Sequence, residues 1–432
     1  MSSSSGHSGE RILLHGGRVF DGTGSDPADA DVVIADGLIV DVGIGLDGDK
    51  GVDISGRTIL PGLFDCHVHV TSAGVDVMRR LNTPFSYEYF LAAKHLRATL
   101  ATGVTTIRDA GGADAGLQQA VRDGLIAGPR MLISVSIIGQ TGGHSDGWLQ
   151  SGYDIPISIA HPGRPSGLAD GPDEMRRVVR QVIRAGADVI KVCATGGVLS
   201  VGDDPRHAQF SRSELEIAVA EATAAGRGVM AHAQGAAGIK NALLAGVRSI
   251  EHGVYLDDEA IELMLQSGTW LVPTLIAPLS VIRAAELGAT IAPSVVEKAV
   301  EVASVHAESV RRAAKAGVRI AMGTDSGVGP HGQNLEELAL MHGCGMSPSE
   351  VLHAATGSAA DLCGLTEVTG RIRPGLAADL VVVDDLPYEL NDLGDRIAQV
   401  WQAGRLVDRA QSGIARDGAE VEPVLLGEGR SS

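Results

Sequence analysis

The chain has 432 residues, 44% of them hydrophobic and 20% charged. That length favours one large domain with a smaller companion, and the apolar share excludes a wholly disordered chain. A net charge of −18 excludes a surface built to neutralise nucleic-acid phosphates.

The N-terminus, MSSSSGHSGERILLHGG, lacks the basic start and apolar run of a secretion signal. No apolar stretch approaches the roughly 18 residues that a membrane span needs. Cys66, Cys193, Cys344 and Cys363 show no paired spacing, so neither a disulfide framework nor a zinc finger is read. The expectation is a cytoplasmic protein with no membrane or nucleic-acid partner.

Residues 11–59 read as short alternating strands with Gly and Asp turns, and residues 369–408 repeat that texture. Neither flank alone can bury a sheet face. The two are expected to pair as one small β-sandwich built from both chain ends, residues 1–61 and 367–432, with a loose tail from about residue 411. Between them, residues 62–366 carry a recurrent joint of helix end, glycine and short apolar strand. It occurs in TLATGVTTIRDAGG, IRAGADVIKVCATGG, TAAGRGVMAHAQG, LLAGVRSIEHGV, LQSGTWLVPTL and AKAGVRIAMGTDSG. The glycines Gly103, Gly186, Gly226, Gly246, Gly268 and Gly317 stand where a left-handed helix C-cap belongs. The runs that follow are short and rich in β-branched residues.

ILPGLFDCHVHV near position 60 and GPRMLISVSII near 130 raise the strand count to eight. Strands alternating with amphipathic helices imply an α/β protein of parallel βα units, and eight units fit a closed (β/α)8 TIM barrel. A doubly wound open sheet fits less well, because polar residues end many strands rather than flanking one crevice. Residues 139–172 and 277–293 read as loops over the barrel mouth.

In the first strand His67 and His69 are separated by one residue. Residues i and i+2 of a strand face one side, so both imidazoles reach one point, as metal ligands or as a hydrogen-bonded core pair. The fourth strand carries Lys191 among Val, Ile and Ala, which reads plainly as a snorkelling or ion-paired lysine. An ammonium has no acceptor for a metal, but carboxylation by carbon dioxide would make an anion able to bridge two cations. His232 ends the fifth strand, His252 the sixth and Asp325 the eighth; a carboxylate there also serves as turn-former or N-cap. Singly, each is ordinary. Jointly they stand at the C-terminal ends of strands 1, 4, 5, 6 and 8, which a barrel gathers on one face. The set matches a bridged pair of divalent cations, zinc by default, with manganese or cobalt able to use the same donors.

These residues, with LPGLFDCHVHV and the closing GRIRPGLAADLVVVDD, resemble the amidohydrolase superfamily in its binuclear group with a carboxylated strand-4 lysine. The resemblance implies that His67, His69 and Asp325 hold the more buried metal and His232 and His252 the more exposed one, with carboxylated Lys191 between. TIRDAGG, TGGHSDGW, ATGGVLSVGDDPRHAQFS, IEHGVYLDD and GTDSGVGPHGQNLEEL resemble the prolidase-like branch. That likeness implies a homo-oligomer acting on a small molecule, with His144 and Tyr255 against the substrate and His207 and His331 as lesser candidates. Water deprotonated at the metals is expected to attack an amide carbonyl. Tyr255 or His144 would donate to the developing oxyanion, and Asp325 would carry the proton to the leaving nitrogen. A dipeptidase or N-acyl amino acid amidohydrolase is the leading expectation. An aryl-amide, urea, carbamate or cyclic-amide hydrolase is the alternative, and a metal-free scaffold is a third reading that the full ligand set disfavours. A deaminase of the same superfamily fits less well, because such enzymes resemble mononuclear sites without the lysine.

Overall fold

Seven short runs between positions 63 and 272, most of them buried along their whole length, form parallel strands. They are β1 (Leu63–Val68), β2 (Val104–Asp109), β3 (Arg130–Ile133), β4 (Val189–Cys193), β5 (Gly228–Ala233), β6 (Ser249–His252) and β7 (Trp270–Val272). The structure is a computed structural model that describes residues 9–149, 151–155 and 158–409; the expected tail lies outside them. One sheet has the order β3-β2-β1, and a second runs from a two-residue strand, Ile137–Ile138, through β4, β5 and β6 to β7. The protein is therefore an α/β fold with parallel sheets.

GPRMLISVSII, read as one strand, is broken at Val135, whose φ is +64°. Below the break β3 pairs with β2, and above it Ile137–Ile138 pairs with β4. The kink is what lets one run serve two sheets, at a backbone angle that is strained for a β-branched residue. The expected eighth strand is a series of single bridges: Ile320 pairs with Leu271, and Ser326 with Val68. Backbone bonds from Cys66 N to Met322 O (2.8 Å) and Asp325 N to His67 O (2.7 Å) continue the contact with β1. Side chains capture the other ladder groups, since Thr324 N donates to Asp65 and Ser326 N to the Thr324 hydroxyl.

The six joint glycines all have positive φ. Gly317 illustrates why: at φ +87° it caps the helix Pro293–Ala316, its N–H returning to Ala313 O and Ala314 O. The segment 277–293 is not a continuous loop. It enters the helix Ile276–Glu286, whose Ile276, Ala277, Ser280 and Val281 are buried at helical spacing. Among the described residues no helix is long and apolar enough to cross a membrane.

The flanks interleave. Leu380–Asp384 lies antiparallel between Arg57–Pro61 and Ile397–Gln402 in a six-stranded sheet. Leu14, Val32, Ile34 and Ile59 share an apolar cluster with Ile372, Leu380, Val382 and Trp401. Asp379 ties this part to the parallel strands: its carboxylate accepts from Arg130 (3.0 Å), the Thr369 hydroxyl (2.9 Å) and Ala403 N (2.8 Å). Asp379→Ala strands those donors and is expected to cost about 2–3 kcal/mol in urea unfolding. A change below about 0.5 kcal/mol, the usual effect of a surface substitution, would show that the tie is idle.

Candidate metal centre

Asp65 and His67 in β1 and His69, which follows its last residue, all enter the site, and the register of β1 against β2 shifts between Asp65 and Val68. Asp65 accepts from His67 N (3.1 Å), Thr324 N (3.1 Å), the Thr324 hydroxyl (2.6 Å) and Asn334 Nδ2 (2.8 Å), binding the end of β1 to the strand-like segment that carries Asp325. His67 Nδ1 meets the Glu251 carboxylate at 2.8 Å, and His69 Nδ1 meets Gly111 O at 2.8 Å. Those partners only accept, so both Nδ1 atoms donate and both Nε2 atoms carry lone pairs when the rings are neutral. Orienting partners of this kind are typical of metal-binding histidines.

Both Nε2 atoms face Asp325. Its Oδ1 lies 3.5 Å from His67 Nε2 and 3.2 Å from His69 Nε2, yet it is buried with no hydrogen-bond partner. One donor atom from each of the three residues falls within 4.8 Å of the others. Tetrahedral ligands about 2.1 Å from a cation stand about 3.4 Å apart, so the group fits a divalent metal. Lys191 Nζ is 3.4 Å from His67 Nε2, and no carboxylate pairs with it among the described residues. His232 and His252 extend the cluster: ring centroids are 5.0 Å apart for His67 and His252, and 4.6 Å for His232 and His252. His232 Nε2 donates to Gly196 O at 3.0 Å, leaving Nδ1 as its ligating atom. His252 Nδ1 bonds the Thr274 hydroxyl at 2.7 Å.

Burial dominates the electrostatics. It pushes His67, His232 and His252 well below the usual imidazole range, with nearby cationic groups adding to it, and it lowers Lys191. Burial would raise Asp325, but His67 and His69 outweigh it and hold the carboxyl low; reciprocally, Asp325 overcomes burial at His69 and raises that ring. At His67, His232, His252 and Asp325 these are the forms a cation needs, bare nitrogens and an ionised carboxylate, whereas His69 gives up a proton as a cation binds. His252 and Asp325 both have positive φ, +72° and +59°, strain of the sort found where function fixes the backbone.

The other candidates differ. The His144 ring stacks on His232 at 4.3 Å. Tyr255 is half-buried, its hydroxyl donating to Glu301 (2.9 Å) with Arg206 over its ring. His207 is exposed, and no side-chain contact brings it to the cluster. His331 stacks on His95 at 4.2 Å, not on any of the clustered imidazoles. Of the 139–172 loop, the described part is pinned by buried Arg164, which donates to Gly112 O and to Ile159 O (2.9 Å).

Sequence reasoning missed Asp65, Arg108 and Glu251. Arg108 Nη2 donates to Glu251 (2.9 Å), Nη1 to the Ser249 hydroxyl (3.1 Å) and Nε to Cys66 O (2.7 Å). The available signal was one of charge: SIEH and TIRD each place an ionised residue inside a short apolar strand, where it needs a partner.

Parallel strands that end in imidazoles, a buried lysine and an unpartnered carboxylate define a metal-dependent hydrolase. The chain belongs to the amidohydrolase family, whose family model matches residues 58–419. It is 34% identical over 417 residues to an ochratoxinase of Aspergillus niger, covering 91% of this chain and 86% of that one. Among solved structures it is similar to a Xaa-Pro dipeptidase with bound methionine in the active site (33% identity, TM-score 0.84, 92% of this chain and 100% of that chain). It is likewise similar to a prolidase complexed with N-methylphosphonate-L-proline (35% identity, TM-score 0.84, the same coverage). The protein is thus a hydrolytic enzyme acting on C–N bonds.

Proposed function

We propose that this enzyme hydrolyses peptide-like amide bonds, with dipeptides and N-acyl amino acids as its substrate class. The observation that carries the reading is the buried Asp325 Oδ1 facing the Nε2 atoms of both His67 and His69 beside Lys191. In this reading His67, His69 and Asp325 would hold one cation and His232 and His252 a second, carboxylated Lys191 would serve both, and zinc would be the default with manganese or cobalt able to replace it. A bound divalent pair supplies an acidified water and a polarised carbonyl. Asp325 takes the proton of the attacking water and returns it to the departing nitrogen. Tyr255 and His144 line the space where the acyl and amine portions bind.

The parallel strands and the bridges at 320 and 326 support a closed (β/α)8 barrel over residues 62–366. The interleaved flanks support a small β-sandwich from residues 1–61 and 367–432. A second reading is hydrolysis of aryl amides, ureas or carbamates, and the likeness to an ochratoxinase, over 91% of the chain, bears on its amide arm.

Kinetic profiling of metal-loaded enzyme against dipeptides, N-acyl amino acids and aryl carbamates tests the choice. Turnover confined to the carbamates overturns the first reading. Lys191→Ala is expected to lose most bound metal, with partial restoration of metal and activity by a short carboxylic acid. Unchanged metal content by elemental analysis would remove the bridge.

A further inference from the structure

The hydrogen bonds of His144 enter a cluster that the proposed reaction does not use. His144 Nδ1 lies 2.8 Å from the Ser200 hydroxyl, which donates to Asp203 Oδ1. Asp203 also accepts from Gln209 Nε2 (3.1 Å) and Gly197 N (3.3 Å), and Gln209 Oε1 accepts from the His144 backbone N–H (2.9 Å). Lys298, on the helix Pro293–Ala316, donates to Gly197 O (2.7 Å), Ser200 O (2.5 Å) and Asp203 O (3.1 Å), and its Nζ is 3.6 Å from the Asp203 carboxylate. The loop so clamped lies against the imidazole: a Cβ on Gly197 would come within 2.2–2.6 Å of three His144 ring atoms.

The proton positions follow from donor counts. A carboxylate only accepts and a hydroxyl has one proton. Ser200 gives that proton to Asp203, so the Ser200 lone pairs are what His144 Nδ1 meets. Nδ1 donates, and Nε2 of the neutral ring is bare.

We infer that Asp203, Ser200 and Lys298 are positioning residues that fix His144 as a hydrogen-bond acceptor toward the substrate, an assignment that rests on the amide-hydrolase reading above. His144 then takes an N–H of the substrate instead of donating to its carbonyl oxygen, which leaves Tyr255 for that oxygen. The donor is a dipeptide's α-ammonium group or the N–H of a secondary amide.

The test is long-range 1H–15N correlation of the metal-loaded, 15N-histidine-labelled enzyme, with His144 assigned by its loss in His144→Gln. Wild type is expected to show a protonated Nδ1 and a bare Nε2, and Ser200→Ala a mixture of tautomers. A bare Nδ1 in wild type, or an unchanged pattern in Ser200→Ala, overturns the inference. In kinetics, Ser200→Ala and Lys298→Met are expected to raise KM about tenfold, the worth of one hydrogen bond, with kcat within about twofold. The rise is confined to a dipeptide if its α-ammonium is the donor, and shared by the des-amino analogue, which has no α-nitrogen, if the amide N–H is. An unchanged KM for both overturns it. Absence of any amide turnover in wild type sinks the functional reading instead, and the tautomer result is read independently of it.

Discussion

Asp325→Asn is expected to lower kcat by about 10³-fold, the scale of a lost general base, without loss of the fold. Asparagine keeps the shape of aspartate and tolerates the left-handed backbone of this position, φ +59°. The anchoring bond is made by the main chain, Asp325 N to His67 O at 2.7 Å, so it survives the change. What goes is the ionised oxygen, which is buried without a partner when no cation is bound. His67 and His69 hold that carboxyl low against its burial, so its charge stabilises the metal-free fold at neutral pH. The metal-free variant should therefore melt slightly below wild type, while the metal-loaded variant should gain less from the cation. Three measurements decide it: kcat at saturating metal, elemental analysis, and thermal melts after chelation. Near-normal kcat with full metal content would take the proton-transfer role away from Asp325.

The strand ends were legible because their signals are local. A left-handed glycine must follow a helix that turns straight into a strand, and all six joint glycines adopt that backbone. The two-residue spacing that brings His67 and His69 together needs nothing beyond the end of β1 and the residue after it. Other features depend on distant partners. Residues 319–326 carry apolar strand-like letters, yet Asp65 and Thr324 capture the backbone N–H groups that a regular ladder would use. Lys298 meets the 197–203 loop from about 100 positions away, and no spacing rule connects them. Cys66 and Cys363, without paired spacing, still bring their sulfurs to 3.9 Å.

The sixth strand shows how a sound rule misleads. Successive strand residues point to opposite sides, which would send Glu251 away from whatever His252 faces. The left-handed backbone at His252 ends the strand geometry there. Glu251 reaches His67 Nδ1 at 2.8 Å while the His252 ring stands 5.0 Å from that of His67. Both neighbours thus act on one histidine, one orienting it and the other standing beside it.

Glu251→Ala is expected to cost about 3–5 kcal/mol of stability, because it leaves the buried Arg108 guanidinium without its counter-charge. Glu251 is fully buried and Arg108 nearly so. Their contact is two-sided, Arg108 Nη2 lying 2.9 and 3.1 Å from the two carboxylate oxygens, with Ser249 donating to one of them at 2.5 Å. The pair also holds His67 in the tautomer that bares Nε2. A double variant, Glu251→Leu with Arg108→Met, separates the two roles. Replacing a buried ion pair by apolar groups of similar volume is often nearly neutral, so urea unfolding should return most of the lost stability. His67 Nδ1 still loses its acceptor, so metal affinity should remain about 10–100-fold weaker, as when an orienting partner of a ligand is removed. If affinity recovers together with stability, Glu251 balances Arg108 only, and the orientation of His67 must come from its neighbours in β1.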